Sequence, residues 1–585
     1  KLFFFANLER RRFPQSSDVV RTVPSDSLRQ GILRFRDGTG NIVSYNLQAS
    51  RLCGTTGGQP CDPRGLGLSP IIAQQFALLP QGNDTSVGDG LNTIGIRGPT
   101  KTDIANDNAL ARVDFLLTSN WHLSGLWDWA QTRSADTTQI DIRGGANNIK
   151  TLSTIPNDPR LYNFSLTGTI SPTLVNEFRA GYFQSTIVFN RLPPQTLLPA
   201  AGTAVSLSGI DSPYDIGPAA RPQVGISRTP QVLDNVTWTK GKHILQGGFN
   251  FQFPWFYHSR LEKSGVVVYP QTVVGVGSNV VIPATLRPPT CSTPNQANCI
   301  LSADLSNWNA FYADVLGIVD NVNMFVARDQ KGNPLPPQQI VNSGRWEALG
   351  FHLSDTWRLT HSLTLSLGLN FSVEYPFSED QGRRAFLVQQ SDGKIIYTND
   401  YLNAKAAAAR QGQIYNPGFA YAPLSMYPGV GEIPNQYSPA PRLAVAWNPS
   451  FRDGPLGRMF GDRKTVIRSG WGMSFARLNA VGIVQYPMIG SALLGQPAIT
   501  NGPKNGQGDF YRIGIDGAAP VAPVSPTIPI PYAPAIPFGD GNDLGFDPNM
   551  KLGYVHSVDL TIQRELPGSM VLEIGYLGRF GAGYR

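Results

Sequence analysis

The segment LTLSLGLNFSVE, Leu363 to Glu374, decides the fold. Leu363, Leu365, Leu367, Leu369, Phe371 and Val373 fall on one side of an extended chain; Thr364, Ser366, Gly368, Asn370, Ser372 and Glu374 fall on the other. A strand sends successive side chains to opposite faces, so this is one strand with an apolar and a small polar face. Its length exceeds the usual five or six residues. The same alternation recurs in Tyr162–Ile170 and Leu245–Phe253, and in Ala109–Leu117, Trp121–Ala130, Leu174–Ser185, Leu349–Trp357, Arg442–Asn448, Thr465–Phe475, Val555–Arg564 and Met570–Leu577.

Alternation fits a soluble sandwich with its apolar face inward as well as a membrane barrel with that face outward. Three features favour the barrel. The polar faces are mostly small and uncharged, as a water-filled lumen tolerates. Strand length matches the roughly 9–11 tilted residues that cross a bilayer. Charge on the apolar rows is expected near their ends, as at Asp355 and Arg564, because Lys or Arg at the midplane costs about 2–4 kcal/mol.

Connections alternate in length. Short links at Ser119-Asn120, Ser171-Pro172, Lys240-Gly241-Lys242, Thr360-His361 and Pro567-Gly568 are interleaved with long ones, Gln131–Leu161, Phe189–Gln231, Pro254–Arg345, Tyr375–Pro441 and Arg477–Gly553. Short turns on one rim and long loops on the other are the outer-membrane arrangement. Pro449–Lys464 is intermediate and fits least well. Trp121, Trp129, Trp238, Trp346, Trp357, Trp447, Trp471, Tyr554 and Tyr576 flank the strands at heights suited to interfacial girdles.

Composition agrees. The 585 residues carry 48 basic and 41 acidic side chains, a formal charge of +7, and only 15% charged residues, against roughly 25% in a soluble globular protein. No apolar run reaches the length of a membrane-spanning helix. The basic excess is spread without a run of Lys or Arg, which argues against nucleic-acid binding. The opening KLFFFANLERRRF reads as a β-like run and has no signal-peptide cleavage site.

Catalytic signatures are missing: no H-E-x-x-H, G-x-S-x-G or Walker loop occurs, and His122, His243, His258, His352, His361 and His556 are scattered. No metal site or cofactor is expected. Asp540-Gly541-Asn542-Asp543 lacks the spacing and terminal Glu of a calcium loop and reads as a polar loop. Val521–Phe538 reads as a stiff proline-rich outer loop, with a polyproline ligand as the alternative. Cys53 with Cys61, and Cys291 with Cys299, would close two small loops at the least entropic cost among three pairings. Such bridges imply an oxidising compartment; unpaired thiols are the alternative. Candidate lumen-facing polar residues are Arg112, Asp114, Glu177, Arg179, Asn250 and Arg468. Arg112 beside Asp114, and Glu177 beside Arg179, read either as ligand contacts or as charge pairs that stiffen a wall.

These landmarks together resemble the barrel of Oar-like TonB-dependent outer-membrane receptors. The matching stretches, in family order, are KLFFFANLE, TVPSDSLRQG (Thr22–Gly31), NDNALARVDFLLTSNWHLSG (Asn106–Gly125), WTKGKHILQGGFNF (Trp238–Phe251), LSDTWRLTHSLTLSLGLNFSVE (Leu353–Glu374), YSPAPRLAVAWNP (Tyr437–Pro449), KTVIRSGWGMSF (Lys464–Phe475) and VDLTIQRELPGSMVLEIGYLG (Val558–Gly578). The resemblance implies an all-β, transmembrane antiparallel β-barrel with long extracellular loops, of which residues 1–585 supply one region of about 12–13 strands from a 22-stranded type. It implies a regulatory module and plug before Lys1 and further strands after Arg585, so the chain is expected to be a fragment. It also implies residence in outer-membrane lipid of a bacterial cell, coupling to TonB through the plug, and energy-driven uptake of an unknown substrate. The loops Pro254–Arg345 and Arg477–Gly553 are the expected recognition loops. The rival readings are a passive porin or adhesin barrel, and a soluble extracellular β-propeller enzyme, whose blades would repeat every 40–50 residues.

Overall fold

A computed structural model of the chain describes residues 1–583 except 49–51, 54–58, 192–203, 214–221, 261–270, 275–281, 324–325, 336–339, 383, 431–432, 479–493, 496–497, 501–509, 519–526 and 534–549. Asp540–Asp543 and most of Val521–Phe538 lie outside the described residues.

Among those described, thirteen strands form one continuous antiparallel wall in chain order. They are β1 (Leu2–Phe13), β2 (Ile104–Leu116), β3 (Trp121–Asp141), β4 (Lys150–Ser171), β5 (Leu174–Phe189), β6 (Gln223–Lys240), β7 (His243–Gln252), β8 (Ala348–Arg358), β9 (Leu363–Glu374), β10 (Gln436–Trp447), β11 (Thr465–Phe475), β12 (Tyr554–Leu566) and β13 (Met570–Ala582). Each β1 to β13 neighbour pair is hydrogen-bonded, and among the described residues no pairing joins β1 to β13.

Register follows the alternation. Leu369 of β9 opposes Leu353 of β8, and Asn370 opposes His352, so apolar side chains line one face and polar ones the other. A slip of one residue would exchange the faces of a whole strand. Leu353 and Leu369 remain exposed, at 64% and 49%, which is the reverse of a sandwich core. The segments 117–120, 172–173, 241–242, 359–362 and 567–569 connect strands on one rim. Pro449–Lys464 lies on that same rim as a short helix, Gly454–Phe460, tied down by Ser450 to Asp462, so the odd-length link keeps the alternation.

Four expectations are corrected. Gln131–Leu161 is not a loop: β3 and β4 continue past the apolar rows as paired strands, Thr132 opposing Asn157, and the turn between them is confined to 142–149. Similarly, β6 begins at Gln223 rather than near Gln231; its upper half pairs with Trp255–Arg260 while its lower half pairs with β7. Pro254 interrupts the strand because proline has no N–H to donate. β10 begins at Gln436, with Pro439 and Pro441 in the part that pairs with β9 but not with β11, where a missing donor costs nothing. Finally, Asp234 lies on the apolar row of β6, well inside the strand, opposite Phe178 and Phe249. Asn176 of β5 donates its amide to that carboxylate, so this charge is partnered rather than placed at a row's end.

Above the long-loop rim the connections fold together. Buried side chains from 23–96, 140–149, 210, 282–322 and 510–513 make a single apolar cluster. Its centre is the helix Leu305–Leu316, which buries Trp308, Phe311, Tyr312, Val315 and Leu316 and ends at Gly317 with φ 69°, the left-handed position that favours glycine. Trp308 packs on Phe35 and Tyr45 of the hairpin formed by Ile32–Arg36 and Ile42–Asn46.

Candidate functional site

Two structures bear on function: the polar face of the wall and the loop domain seated above it. The polar face is built by register. Asp114 opposes Ser124, Ser124 opposes Ser165, and Ser165 opposes Arg179, so the two charge pairs read from sequence share one row across four strands. Arg112 donates to Asp114 through Nε and Nη2 at 2.7 and 2.8 Å, and His122 Nε2 lies 3.1 Å from the same carboxylate. Arg179 Nε donates to Glu177 at 2.9 Å. Asn250 accepts from Gln231 at 2.7 Å, and Arg468 donates to Gln563 at 3.1 Å, which in turn donates to Glu573 at 2.6 Å. All six residues lie on the polar rows, but they are spread from β2 to β11 and do not converge on one point. A trough of about 640 Å³ runs along the middle of this face, lined by Asn235, Gln246, Asn250, His352, Asn370 and Arg442 among others.

At the long-loop end the trough is crossed by a clasp. Glu374 and Gln436 oppose each other in register. Glu374 accepts from Arg477 Nε and from the Leu478 backbone, both at 3.1 Å. Gln436 accepts from the Leu552 N–H at 3.0 Å and donates to the Met550 carbonyl at 3.1 Å. One row of the wall therefore holds both ends of the loop between β11 and β12.

The loop domain is held by buried polar ties between remote segments. Arg512 Nη2 donates to Asp62 at 2.7 Å, with the two side chains 1% and 0% exposed. Asp62 also accepts the N–H groups of Arg64, Leu66 and Gly67. Burial alone would raise that carboxyl, but the Arg512 guanidinium and the backbone donors outweigh it and leave Asp62 below its usual value. Arg64 grips Asp516 at 2.9 and 3.0 Å. Ser69 donates to the Ile513 carbonyl at 2.6 Å, and its own N–H donates to Val315 O at 2.9 Å. Asp314 is the opposite case: buried in the helix Leu305–Leu316, it has one oxygen facing the Ser208 N–H at 3.1 Å and the other unpartnered, and burial holds it well above its usual range.

Cys53 is bridged to Cys61 and Cys291 to Cys299, each pair eight residues apart in sequence. Tyr312 donates to the Cys61 carbonyl at 2.8 Å, which joins the first bridge to the central helix. Trp346 does not sit at an interface; it packs on Phe377 inside the loops. The sequence reading also passed over a repeated turn. Arg36-Asp37-Gly38-Thr39-Gly40-Asn41 and Arg328-Asp329-Gln330-Lys331-Gly332-Asn333 both place Gly at positive φ, accept two N–H bonds on the Asp side chain, and return the Arg to the Gly carbonyl. The shared R-D-x-x-G-N pattern was the available signal.

Residues 1–584 match the family model described as outer membrane beta barrel domain. The chain belongs to the outer membrane beta barrel domain family. The barrel domain accordingly resides in the bacterial outer membrane, with its apolar rows toward lipid, its polar rows toward the lumen, and its long loops outside. No curated protein matches it. Among solved structures, the barrel domain is similar to a double mutant of the Serratia marcescens hemophore receptor HasR in complex with its hemophore HasA and heme (10% identity, 81% of this chain and 45% of that one, TM-score 0.35). It is also similar to the Escherichia coli outer membrane transporter YddB (8%, 82% and 41%, 0.39) and the ferric-catecholate import receptor Fiu from K12 E. coli (8%, 83% and 53%, 0.34). The chain spans about half the length of these proteins.

Proposed function

We propose that this barrel domain is the outer wall and capture domain of an energy-coupled import receptor, a single unit over residues 1–585 that works with a plug and a TonB-type motor. The observation that carries this reading is the loop domain. A passive pore needs an open mouth, whereas here loops from five places in the chain share one apolar core and two disulfides, and the last loop is clasped to the luminal rim at Glu374 and Gln436. Such a covering selects solutes by contact before entry, and emptying it requires work. Recognition is assigned to the outer faces of Pro254–Arg345 and Arg477–Gly553. The charge pairs Arg112–Asp114 and Glu177–Arg179, each neutral as a pair, with Asn250 and Arg468, give the lumen a hydrogen-bonding surface.

The test is solute depletion. Cells with and without the full-length protein, in backgrounds with and without TonB, are grown in a complex medium whose residual solutes are profiled. Import by this reading removes at least one solute only when both proteins are present, and that solute still adsorbs to TonB-deficient cells. Depletion that persists without TonB would establish a passive pore instead.

A further inference from the structure

Pro449–Lys464, the one link of intermediate length on the short-turn rim, is built as a two-faced hook. Phe451 and Phe460 pack on each other and on Trp447, with ring centroids 5.9 Å apart and 6.5 and 5.4 Å from the indole. Trp447 lies on the outward row, opposite Leu363 of β9 and Ile467 of β11, so this aromatic cluster hangs from the lipid-facing wall at girdle height. Within the helix Gly454–Phe460, Leu456, Met459 and Phe460 share one face, because residues three and four apart are neighbours on a helix. At about 100° per residue, Arg458 falls on the other side. Leu456 and Met459 are 48% and 65% exposed. One such side chain alone would be ordinary; here the two extend a row that already faces lipid.

The hook is held in shape before it meets anything. The Gly461 N–H donates to the Gly457 carbonyl at 2.9 Å, Phe451 N–H to the Gly461 carbonyl at 3.1 Å, and Arg463 N–H to the Pro449 carbonyl at 3.0 Å. Arg564, at the end of the outward row of β12, donates to the Arg458 carbonyl at 3.1 Å and to the Met459 carbonyl, and the Thr465 hydroxyl donates to the Phe460 carbonyl at 2.7 Å. The helix's last carbonyls are therefore satisfied from the wall. Its charge is one-sided. Arg452, Arg458, Arg463 and Lys464 stand against Asp453 and Asp462, and counting Arg564 with its neighbour Glu565 leaves the basic excess unchanged. Asp462 accepts from Ser450 and lies 3.3 Å from Arg452, with side chains 44% and 82% exposed. So exposed a pair is worth little and yields readily to a phosphate. A rigid apolar face beside a girdle, flanked by surplus cations, complements a leaflet that carries anionic headgroups.

We propose that this hook anchors the short-turn rim in the periplasmic leaflet: Leu456 and Met459 enter the acyl region, and Arg452, Arg458 and Lys464 hold the phosphate of an anionic phospholipid. All four cysteines are bridged, so a single introduced thiol is labelled selectively. The full-length protein carrying Met459→Cys with a polarity-sensitive fluorophore is reconstituted in mixed bilayers of phosphatidylethanolamine and phosphatidylglycerol, one lipid at a time bearing a nitroxide on the same acyl carbon. Phosphatidylglycerol is expected to quench the label with an association constant about fivefold higher than phosphatidylethanolamine, the equivalent of one basic side chain at an anionic surface. Aqueous iodide is expected not to reach the label, and soluble glycerol phosphate, lacking acyl chains, not to displace the lipid. The combined variant Arg452→Gln, Arg458→Gln and Lys464→Gln should lose the preference, whereas Lys242→Gln, on another turn of the same rim, keeps it. Quenching by iodide but not by lipid overturns the proposal, as does equal quenching by the two lipids or a preference that survives the combined variant. A label in native outer-membrane vesicles that neither quencher reaches assigns the face to a protein partner and overturns it as well. Should the labelled protein lose its heat-modifiable migration, Leu456→Cys takes the label and the same outcomes decide.

Discussion

Asp62 and Arg512 form the costliest contact to break, because neither side chain reaches water. Replacing Asp62 by Asn would leave a buried guanidinium without its counter-charge, and the expected loss is about 3–5 kcal/mol, read as earlier denaturant unfolding of the loop domain. Its pH dependence follows from the depressed carboxyl. The stabilisation is complete above the unfolded-state value near 3.8 and is lost as pH falls through the lower folded value. Asp314 has the opposite sign. Its folded value is raised, so its contribution is complete below about 3.8 and declines as pH rises toward the folded value, the unfolded chain gaining by ionising first. Asp314→Asn is therefore expected to leave acid stability unchanged and to increase hydrogen-exchange protection of Leu305–Leu316 at pH 7–8. No gain at neutral pH would mean that the carboxyl is not paying for its burial.

Among the elements, the wall strands were legible because each is a local statement: Leu363–Glu374 reveals its faces without reference to any other segment. The extensions Thr132–Asp141 and Gln223–Thr229 were not legible, because above the bilayer the apolar row ends and period two disappears although pairing continues. Asp234 was missed for a related reason, since its partner Asn176 comes from the neighbouring strand and cannot be inferred from one strand's pattern. Of the candidate site, the pairs Arg112–Asp114 and Glu177–Arg179 were readable because each lies two residues apart on one strand. Face assignment has a sharp test. Leu369→Arg, in the outward row opposite Leu353, is expected to destabilise the folded barrel by about 2–4 kcal/mol, whereas Ser366→Arg on the luminal row should be nearly neutral in the same urea titration. Equal costs would remove the distinction between the faces.

For the molecule as a whole, what sequence could not reveal is the loop domain, whose core is assembled from contacts such as Asp62 to Arg512 and Ser69 to Ile513, more than 440 positions apart. No periodicity records such a contact. This non-local construction predicts cooperativity. Each disulfide closes a short loop worth about 2–3 kcal/mol on the chain-entropy account, but the two are not equivalent. Cys53 and Cys61 are buried in the main cluster and Tyr312 donates to Cys61, whereas Cys291 is only half-buried. Converting Cys53 and Cys61 together to Ser should therefore loosen the central helix Leu305–Leu316 as well as its own loop, while converting Cys291 and Cys299 should act locally. Hydrogen exchange on the full-length protein distinguishes these outcomes. The helix loses protection in the first variant, β8 and β9 keep theirs in both, and loss confined to residues near 53–61 would show that the loops are independent straps rather than one domain.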